Sequence, residues 1–158
     1  MQLTNIARDV GEDARNGRVY LPLEWLAEQG VDARVFLADP RPSPALAAVI
    51  ERLLRHAGAL YARADLGIPM LPRDCRAAIR AASLIYADIG HRIARRDFDS
   101  VTTRAFVPGR RKLWLVARAL LGRGRGAAVR GALPALAETQ FLVDAGLAPR
   151  LLGPGGAA

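Results

Sequence analysis

The chain has 158 residues, of which 51% are hydrophobic and 24% are charged, and its net charge is +8. Its length supports one domain with a single hydrophobic core, and its composition excludes a chain that is disordered throughout. The one cysteine, Cys75, excludes an intrachain disulfide, and we expect neither a signal peptide nor a membrane-spanning helix, because no long apolar run is present.

The first predicted helix carries a column of polar side chains. Asn5, Asp9 and Asp13 recur every four residues and Gln2 precedes Asn5 by three, so a helix over residues 2–13 places all four on one face. Two carboxylates one turn apart repel each other, and oxygen ligands of this kind suit Mg²⁺. The spacing alone also fits a solvated polar face of a surface helix, and that alternative stays open at this point.

The residues around this column favour a metal together with an anion. Glu12 adds a third carboxylate, and Arg8 and Arg15 flank the acidic residues in positions suited to contact an anion. Ile6 and Val10 predict that the opposite side of the helix is buried. Since Mg²⁺ is commonly shared between carboxylates and substrate phosphates, the pattern suggests a diphosphate substrate.

Apolar residues at three- and four-residue spacing predict that the rest of the chain is also helical. The stripes and turn signals predict helices over residues 23–29, 46–64, 78–93 and 113–121. Ser43 is the predicted N-cap of the second of these, with Pro44 in its first turn and a stop at Gly67. Asp74 is the predicted N-cap of the third. No strand signal competes with this pattern, so the predicted fold class is all-α.

The character of the chain changes after residue 121. A Gly/Arg linker at residues 122–126 is followed by a weaker helical pattern, which Pro134 interrupts, and by a flexible tail from Gly153. We therefore predict a helical domain over residues 1–121 and an appended linker, weak helix and tail over residues 122–158.

The positive charge is concentrated between residues 100 and 137. This segment has no acidic residue and eight basic ones, Arg104, Arg110, Arg111, Lys112, Arg118, Arg123, Arg125 and Arg130. Together with neighbouring leucines, several of them predict an amphipathic basic helix. Three interpretations stay open: a solvated face, a contact with an anionic membrane and a funnel for diphosphate. The arginine content also fits a bias in genomic base composition.

The opening string resembles the second aspartate-rich motif of the squalene/phytoene synthase family, and most closely that of its bacterial members. The match runs from Gln2 to Pro22 and includes the loop that ends in Tyr20-Leu21-Pro22. A second matching block contains Tyr86 and residues 95–98, 103–107 and 110–112. The resemblance covers residues 1–121, and it implies the C-terminal part of an isoprenoid-synthase-type helical bundle.

The resemblance implies roles for seven residues. Asp9, Asp13 and Asn5 would hold the metal; Gln2, Asn5, Arg8, Tyr86 and Arg104 would bind the substrate; and Tyr86, Arg8 and Arg104 would act in catalysis. The implied cofactor is Mg²⁺, with Mn²⁺ as a substitute. For Tyr86, a core tyrosine on an apolar stripe stays open as the alternative.

The implied activity is the head-to-head condensation of two prenyl diphosphates in carotenoid biosynthesis, from geranylgeranyl diphosphate to phytoene with release of diphosphate. The sequence does not fix the prenyl chain length, so squalene synthase and related condensing enzymes stay open. The implied partners are a prenyl diphosphate and a peripheral membrane surface. We expect a cytoplasmic protein that lies peripherally on the inner membrane, and no nucleic acid partner.

The chain departs from the family in one respect. Members of the family carry a first aspartate-rich motif far upstream of the second, and no such motif precedes Gln2. We therefore expect a truncated, mis-started or split form that needs an upstream half and whose activity alone is in doubt. The alternatives are a non-catalytic helical module that binds anionic membrane or nucleic acid through its basic segment, and a remnant without a present role.

Overall fold

The computed structural model describes residues 1–121, 134 and 136–147. The chain divides into two units, Met1–Ala128 and Val129–Ala158. The described part of the first unit contains α1 (Gln2–Arg15), α2 (Leu23–Glu28), α3 (Ala33–Ala38), α4 (Pro44–Gly67), α5 (Arg73–Ala94) and α6 (Gly109–Leu121), with a 3-10 turn at Ile68–Met70 between α4 and α5. The second unit contains a 3-10 turn at Ala137–Thr139 followed by α7 (Gln140–Leu147). The described residues include no strand, and the predicted all-α class is confirmed.

Helix α1 packs against both long helices of the first unit. Its buried residues, Thr4, Ala7, Val10, Gly11 and Ala14, recur at helical spacing and form one stripe. Four of these five are small, which lets the backbone of α1 approach its neighbours closely. The polar column predicted from the sequence therefore lies away from the core.

Helices α4 and α5 form the main support of the core. The Ser43 Oγ accepts a hydrogen bond from Leu46 N at 3.1 Å, and Pro44 occupies the first turn of α4, so both predictions for this helix start are confirmed. Such a cap contributes about 1 kcal/mol to stability. Leu46, Val49 and Ile50 on α4 are each 1% exposed.

The prediction that Asp74 caps α5 is wrong. The helix begins at Arg73, its N-cap is Pro72, and Asp74 lies in the first turn, where its Oδ1 accepts a hydrogen bond from Cys75 N. The proline ring fixes φ and leaves no N–H to satisfy, so the helix starts directly after it. Asp74 still favours the helix through the macrodipole.

Helix α3 has no counterpart among the helices predicted from the sequence. This helix has six residues and buries only Phe36, so no apolar stripe marks it. The signal that was available is Asp32, whose carboxylate accepts hydrogen bonds from Arg34 N at 2.7 Å and Val35 N at 3.1 Å. A single N-cap signal does not distinguish a short helix from a turn.

Two helices differ from prediction at their ends, and part of the chain lies outside the described residues. Helix α2 ends at Glu28 with Gln29 as its C-cap, and α6 begins four residues before the predicted 113–121 because its first turn is polar and exposed. The predicted linker at residues 122–126, the predicted weak helix at residues 127–133 and the predicted tail from Gly153 lie outside the described residues. No helix among the described residues combines the length and apolarity needed to cross a bilayer.

Candidate functional site

The carboxylate of Asp9 lies between two guanidinium groups. Arg8 Nε and Nη2 donate to Asp9 Oδ1 and Oδ2, both at 2.7 Å. Arg104 Nε donates to Oδ1 at 2.7 Å, and its Nη2 donates to Oδ2 at 3.3 Å. Because a carboxylate has about four acceptor positions, these bonds use its whole capacity. A metal ion can bind Asp9 only after one arginine withdraws.

The arginines determine the charge state of Asp9. Partial burial acts to raise the pKa of this carboxyl, but the hydrogen bonds from Arg8 and Arg104 outweigh burial and hold the pKa below its ordinary value. The Asp9 side chain is 18% exposed, whereas that of Arg104 is 54% exposed. Asp9 is therefore ionised near neutral pH, and Arg104 is the more accessible of the pair.

Asn5 and Asp13 differ from Asp9 in having oxygens without a hydrogen-bond partner among the described residues. Asn5 Oδ1 is buried and accepts no hydrogen bond. The Asp13 carboxylate has no hydrogen bond or ion pair to any described residue. Burial and the nearby carboxylates of Asp9 and Glu12 raise the pKa of Asp13. Asn5 thus has a buried acceptor without a donor, and Asp13 has a carboxylate on which Arg18 and Arg104 act only through charge, without a hydrogen bond.

The oxygen ligands of the column are of the kind that Mg²⁺ prefers, but they are too few to complete its coordination. Within the described ranges, no three His, Cys, Asp or Glu side chains come together as a group that could hold a metal ion. The column offers two carboxylates, Asp9 and Asp13, and the amide oxygen of Asn5. Mg²⁺ prefers oxygen ligands and usually keeps several waters or substrate phosphate oxygens, so the ligands of this column need such a supplement. Gln2 is exposed, and its side chain makes no hydrogen bond to any other described residue.

A cavity of about 450 Å³ with a cationic lining opens beside Asp9. Arg8, Tyr86, Arg104 and Lys112 line it, together with apolar residues of α5 and of the chain before α6. Three of the predicted site residues therefore share one cavity, and Lys112 joins them. Lys112 lies in the second matching block of the sequence, at residues 110–112, but the resemblance assigned no role to it individually.

A second cavity of about 250 Å³ lies between α1, α4 and α5, and its lining is mainly apolar. Leu54, Ala57 and Gly58 line one side, and Gly90 of α5 contributes to the lining. Tyr86 lines both cavities and also packs, partly buried, against the hydrophobic core, so both interpretations of this residue stay open.

Thr4 and Tyr61 close the α1 side of this second cavity, and the sequence analysis did not identify this pair. Thr4 Oγ1 and the Tyr61 hydroxyl lie 2.7 Å apart and share a hydrogen bond across 57 positions of sequence. Burial raises the pKa of Tyr61, so the hydroxyl stays protonated. Both residues fall on apolar stripes, and a stripe does not show which polar groups will meet.

The chain that carries Arg104 to Asp9, residues 97–107, will be called the return segment. Asp97 and Phe98 have φ angles of 50° and 59°, and the Asp99 carboxylate accepts hydrogen bonds from Val101 N and Thr102 N, both at 2.9 Å. Arg15 Nη1 donates to Val101 O at 3.2 Å, which ties α1 to this segment; its predicted contact with an anion stays a prediction.

The basic helix α6 forms an ion pair with α5 on one side and exposes apolar side chains to solvent on another. Asp88 of α5 is buried, and its carboxylate accepts hydrogen bonds from Arg111 at 3.0 Å and Arg92 at 2.9 Å. The guanidinium groups of Arg111 and Arg118 lie 4.5 Å and 5.6 Å from the ring centroid of Trp114. The exposed apolar side chains of this helix are Leu113, Trp114, Leu120 and Leu121, at 73%, 50%, 67% and 84% exposure.

Comparisons with known proteins point to one family. The sequence model of the squalene/phytoene synthase family matches residues 1–113. A phytoene synthase of Rhodobacter capsulatus is 52% identical over 121 residues, which are 77% of this chain and 36% of that protein. A phytoene synthase of Cereibacter sphaeroides is 51% identical over 150 residues, which are 92% of this chain and 42% of that protein.

The fold also matches a solved structure. A crystal structure of a dehydrosqualene synthase in complex with ligand superposes with a TM-score of 0.63 at 32% identity, over 75% of this chain and 42% of that chain. The predicted isoprenoid-synthase-type helical bundle is confirmed by this match. The chain spans about two fifths of the length of the proteins it matches.

Proposed function

We propose that this chain, which belongs to the squalene/phytoene synthase family, binds the diphosphate group of a prenyl diphosphate together with Mg²⁺. The reaction it serves is the head-to-head condensation of two geranylgeranyl diphosphates to phytoene in carotenoid biosynthesis, with release of diphosphate. The observation that carries the proposal is the pair of unpartnered oxygens, on Asn5 and Asp13, beside a cavity lined by Arg8, Arg104 and Tyr86. The names of the relatives support the choice of product.

Asp13, Asn5 and Asp9 are the proposed holders of the metal, with Mn²⁺ as a substitute for Mg²⁺. When bound, the ion supplies positive charge that neutralises the departing diphosphate. Asp13 is ready for this role because no described side chain pairs with it, whereas Asp9 first has to release an arginine. Gln2 is proposed to contact the metal-bound diphosphate from the start of α1.

Arg104 is the arginine best placed to leave Asp9. Its side chain is 54% exposed, and its second bond to Asp9 is 3.3 Å long, against 2.7 Å for both bonds of Arg8. A guanidinium group binds phosphate oxygens with the same fork geometry that it uses for a carboxylate. We propose that Arg104 leaves Asp9 and binds the diphosphate. Arg8 keeps its hydrogen bonds to Asp9 and contributes positive charge to the lining of the cavity.

The prenyl chain is proposed to enter the apolar cavity between α1, α4 and α5. Tyr86 lines both cavities, so a substrate with its diphosphate beside Arg104 and its hydrocarbon beside Gly58 passes this ring. An apolar wall keeps water away from the allylic cation that forms when diphosphate leaves. The aromatic face of Tyr86 is suited to stabilise such a cation.

The complete reaction needs more metal ligands than the described residues offer. In the part of the chain that the structure describes, no three acidic, histidine or cysteine side chains form a group that could hold a metal ion. We therefore propose that a first aspartate-rich motif, from a segment outside residues 1–158, completes the metal cluster. We then expect residues 1–158 alone to bind the substrate but to convert it to product slowly or not at all.

Helix α6 is proposed to bring the protein to the cytoplasmic face of the inner membrane. Its exposed leucines and Trp114 lie on the same helix as Arg110 and Lys112, and neither of these cations pairs with a described acid. A helix with apolar and basic residues of this kind binds anionic interfaces. The exposed leucines favour a lipid surface over nucleic acid, because they gain transfer free energy by entering lipid, whereas affinity for nucleic acid comes mainly from contacts with phosphate.

Calorimetric titration of the chain with geranylgeranyl diphosphate tests the proposal. We expect binding to require Mg²⁺ and to weaken at least about tenfold, or about 1.4 kcal/mol, in Asp9→Ala and in Asp13→Ala. Asp39→Ala is the control, since Asp39 is exposed and pairs only with exposed Arg41. Binding that persists unchanged in both variants, or without Mg²⁺, would show that the column is not the metal site.

A further inference from the structure

Gly11 is the point at which the return segment touches the backbone of α1. A Cβ atom at this position would lie 2.4 Å from Val101 O, 2.7 Å from Val101 Cα and 2.9 Å from Val101 C. All three are backbone atoms, so no side-chain rotation relieves the overlap. Any residue other than glycine therefore forces the return segment and α1 apart.

Two hydrogen bonds reinforce this contact. Gly11 N donates to Ser100 O at 3.0 Å, and Arg15 Nη1 donates to Val101 O at 3.2 Å. Ser100 and Val101 are each only 3% exposed, so water does not replace these partners. The contact is tight, buried and directional.

The contact joins α1 to the return segment, and on each of these two segments it lies within three residues of a proposed site residue. On α1, Gly11 is two residues after Asp9. On the return segment, Arg104 is three residues after Val101, and the buried residues Ala105 and Val107 hold the segment beyond it. The length of free chain between Val101 and Ala105 is therefore short, and the Gly11 contact limits where Arg104 can reach.

We propose that Gly11 is a positioning residue that sets Arg104 on Asp9 and thereby places this arginine at the diphosphate cavity. The inference rests on the proposed function, because Arg104 acts through the diphosphate. A glycine that served packing alone would change stability and leave the contribution of Arg104 to binding unchanged. That difference separates the two roles.

The test measures binding of inorganic pyrophosphate with Mg²⁺ to the full chain by calorimetry. We expect Gly11→Ala and Arg104→Ala each to weaken binding about tenfold, the usual effect of losing one charge-assisted contact. We expect the double variant to bind no more weakly than either single variant, because both remove the same contact. Gly67→Ala is the matched control, since a Cβ atom at Gly67 meets nothing within 4 Å.

Amide hydrogen exchange gives a second readout that needs no ligand. In Gly11→Ala, we expect faster exchange across residues 99–107 and unchanged protection in α4. If Gly11→Ala does not fold, Arg15→Met takes its place, because it removes the bond to Val101 O without adding a steric overlap. We expect Arg15→Met to weaken pyrophosphate binding less than Gly11→Ala does. In a chain that already carries Arg104→Ala, we expect Arg15→Met to cause no further loss.

Three results overturn the inference: unchanged binding in the folded Gly11 variant or its substitute, losses that add in the double variant, or unchanged exchange in residues 99–107. The proposed function fails separately. If Arg104→Ala alone leaves pyrophosphate binding unchanged, the diphosphate role of Arg104 is wrong, and the exchange data still decide whether Gly11 holds the return segment.

Discussion

Arg104 and Asp9 are 95 positions apart in the sequence, and Arg104 Nε lies 2.7 Å from Asp9 Oδ1. This ion pair joins α1 to the return segment at the edge of the cationic cavity. The same carboxylate also accepts two hydrogen bonds from its neighbour Arg8. The pairing keeps a positive charge beside the column. It also distinguishes Asp9, which is bonded to two arginines, from Asp13, which lies one helical turn away and has no such bond to a described residue.

Asn substitutions at Asp9 and Asp13 should therefore differ in effect. Asp13→Asn should abolish Mg²⁺-dependent pyrophosphate binding and leave the melting temperature unchanged or slightly higher, because no described partner is lost and repulsion from Asp9 and Glu12 is relieved. Asp9→Asn should also lower the free energy of unfolding by about 1–3 kcal/mol, because charge-assisted bonds to Arg8 and Arg104 are lost. Thermal unfolding and calorimetry measure both effects.

A matched control for stability is Glu12→Gln. Glu12 is 52% exposed, and its only contact with Arg104 is 3.4 Å long. We expect this substitution to change the free energy of unfolding by less than about 0.5 kcal/mol. Equal stability losses in Asp9→Asn and Asp13→Asn would contradict this distinction between the two residues.

The ion pairs of Asp88 should make the protein sensitive to acid. Burial acts to raise the pKa of Asp88, but the hydrogen bonds from Arg92 and Arg111 outweigh it and lower the pKa. Because the folded pKa lies below the unfolded value of about 3.9, this stability is present above that value and is lost as the pH falls through the folded pKa. Asp88→Asn should cost about 1–3 kcal/mol at pH 7 and flatten the fall of stability below about pH 4.

Urea unfolding between pH 7 and pH 2 measures this dependence. The matched control is Asp39→Asn, because the pair of Asp39 with Arg41 is exposed at 61% and 79%. Its cost should stay below about 0.5 kcal/mol at every pH. A stability curve for Asp88→Asn that runs parallel to that of the unsubstituted chain would rule out a linked Asp88.

The sequence predicted which residues form the column but not which residues they contact. Four-residue spacing correctly placed Asn5, Asp9 and Asp13 on one side of α1, opposite the buried stripe. Local spacing carries no information on distant partners, so neither the pairing of Arg104 with Asp9 nor that of Thr4 with Tyr61 could be predicted. Both depend on how separate helices meet.

The same limit explains the errors at helix ends. Ser43 was a correct N-cap because Pro44 and a long apolar stripe follow it. Asp74 was not, because Pro72 starts α5 earlier than a search for capping side chains suggests. The contact at Gly11 was also beyond prediction, since a glycine inside a helix shows no partner until the return segment is placed beside it.

Because Gly58 lines the apolar cavity, the size of the side chain at this position should affect binding of the prenyl chain. A Cβ atom there meets nothing within 4 Å, and Gly58 lies inside α4, so Gly58→Ala should raise the free energy of unfolding by about 0.5–1 kcal/mol. Gly58→Leu should instead fill part of the cavity of about 250 Å³. We expect it to weaken binding of geranylgeranyl diphosphate and to leave binding of pyrophosphate unchanged.

The comparison of the two ligands in one calorimetric series decides this point. A loss for both ligands in Gly58→Leu would indicate a damaged fold and not a shortened cavity. Equal binding of geranylgeranyl diphosphate by both forms would mean that the prenyl chain lies elsewhere.

Helix α6 predicts binding to anionic vesicles. Replacing Leu113 and Leu120 together with serine should reduce partitioning onto phosphatidylglycerol-containing vesicles roughly tenfold, because inserted leucines contribute about 1–2 kcal/mol of transfer free energy. Val35→Ser is the control, since Val35 is 68% exposed but lies on α3. Vesicle sedimentation measures the partitioning, and equal partitioning of all forms would exclude α6 as the membrane contact.

Paramagnetic broadening by Mn²⁺ decides whether the column on α1 holds a divalent cation together with diphosphate. Mn²⁺ accepts the same oxygen ligands as Mg²⁺ and broadens nuclear magnetic resonance signals near it. With Mn²⁺ and pyrophosphate added, we predict loss of the side-chain amide signals of Asn5 and of backbone signals near Asp13, and no such loss in Asp13→Asn. Broadening that is centred on α6, or that persists unchanged in Asp13→Asn, would contradict the claim.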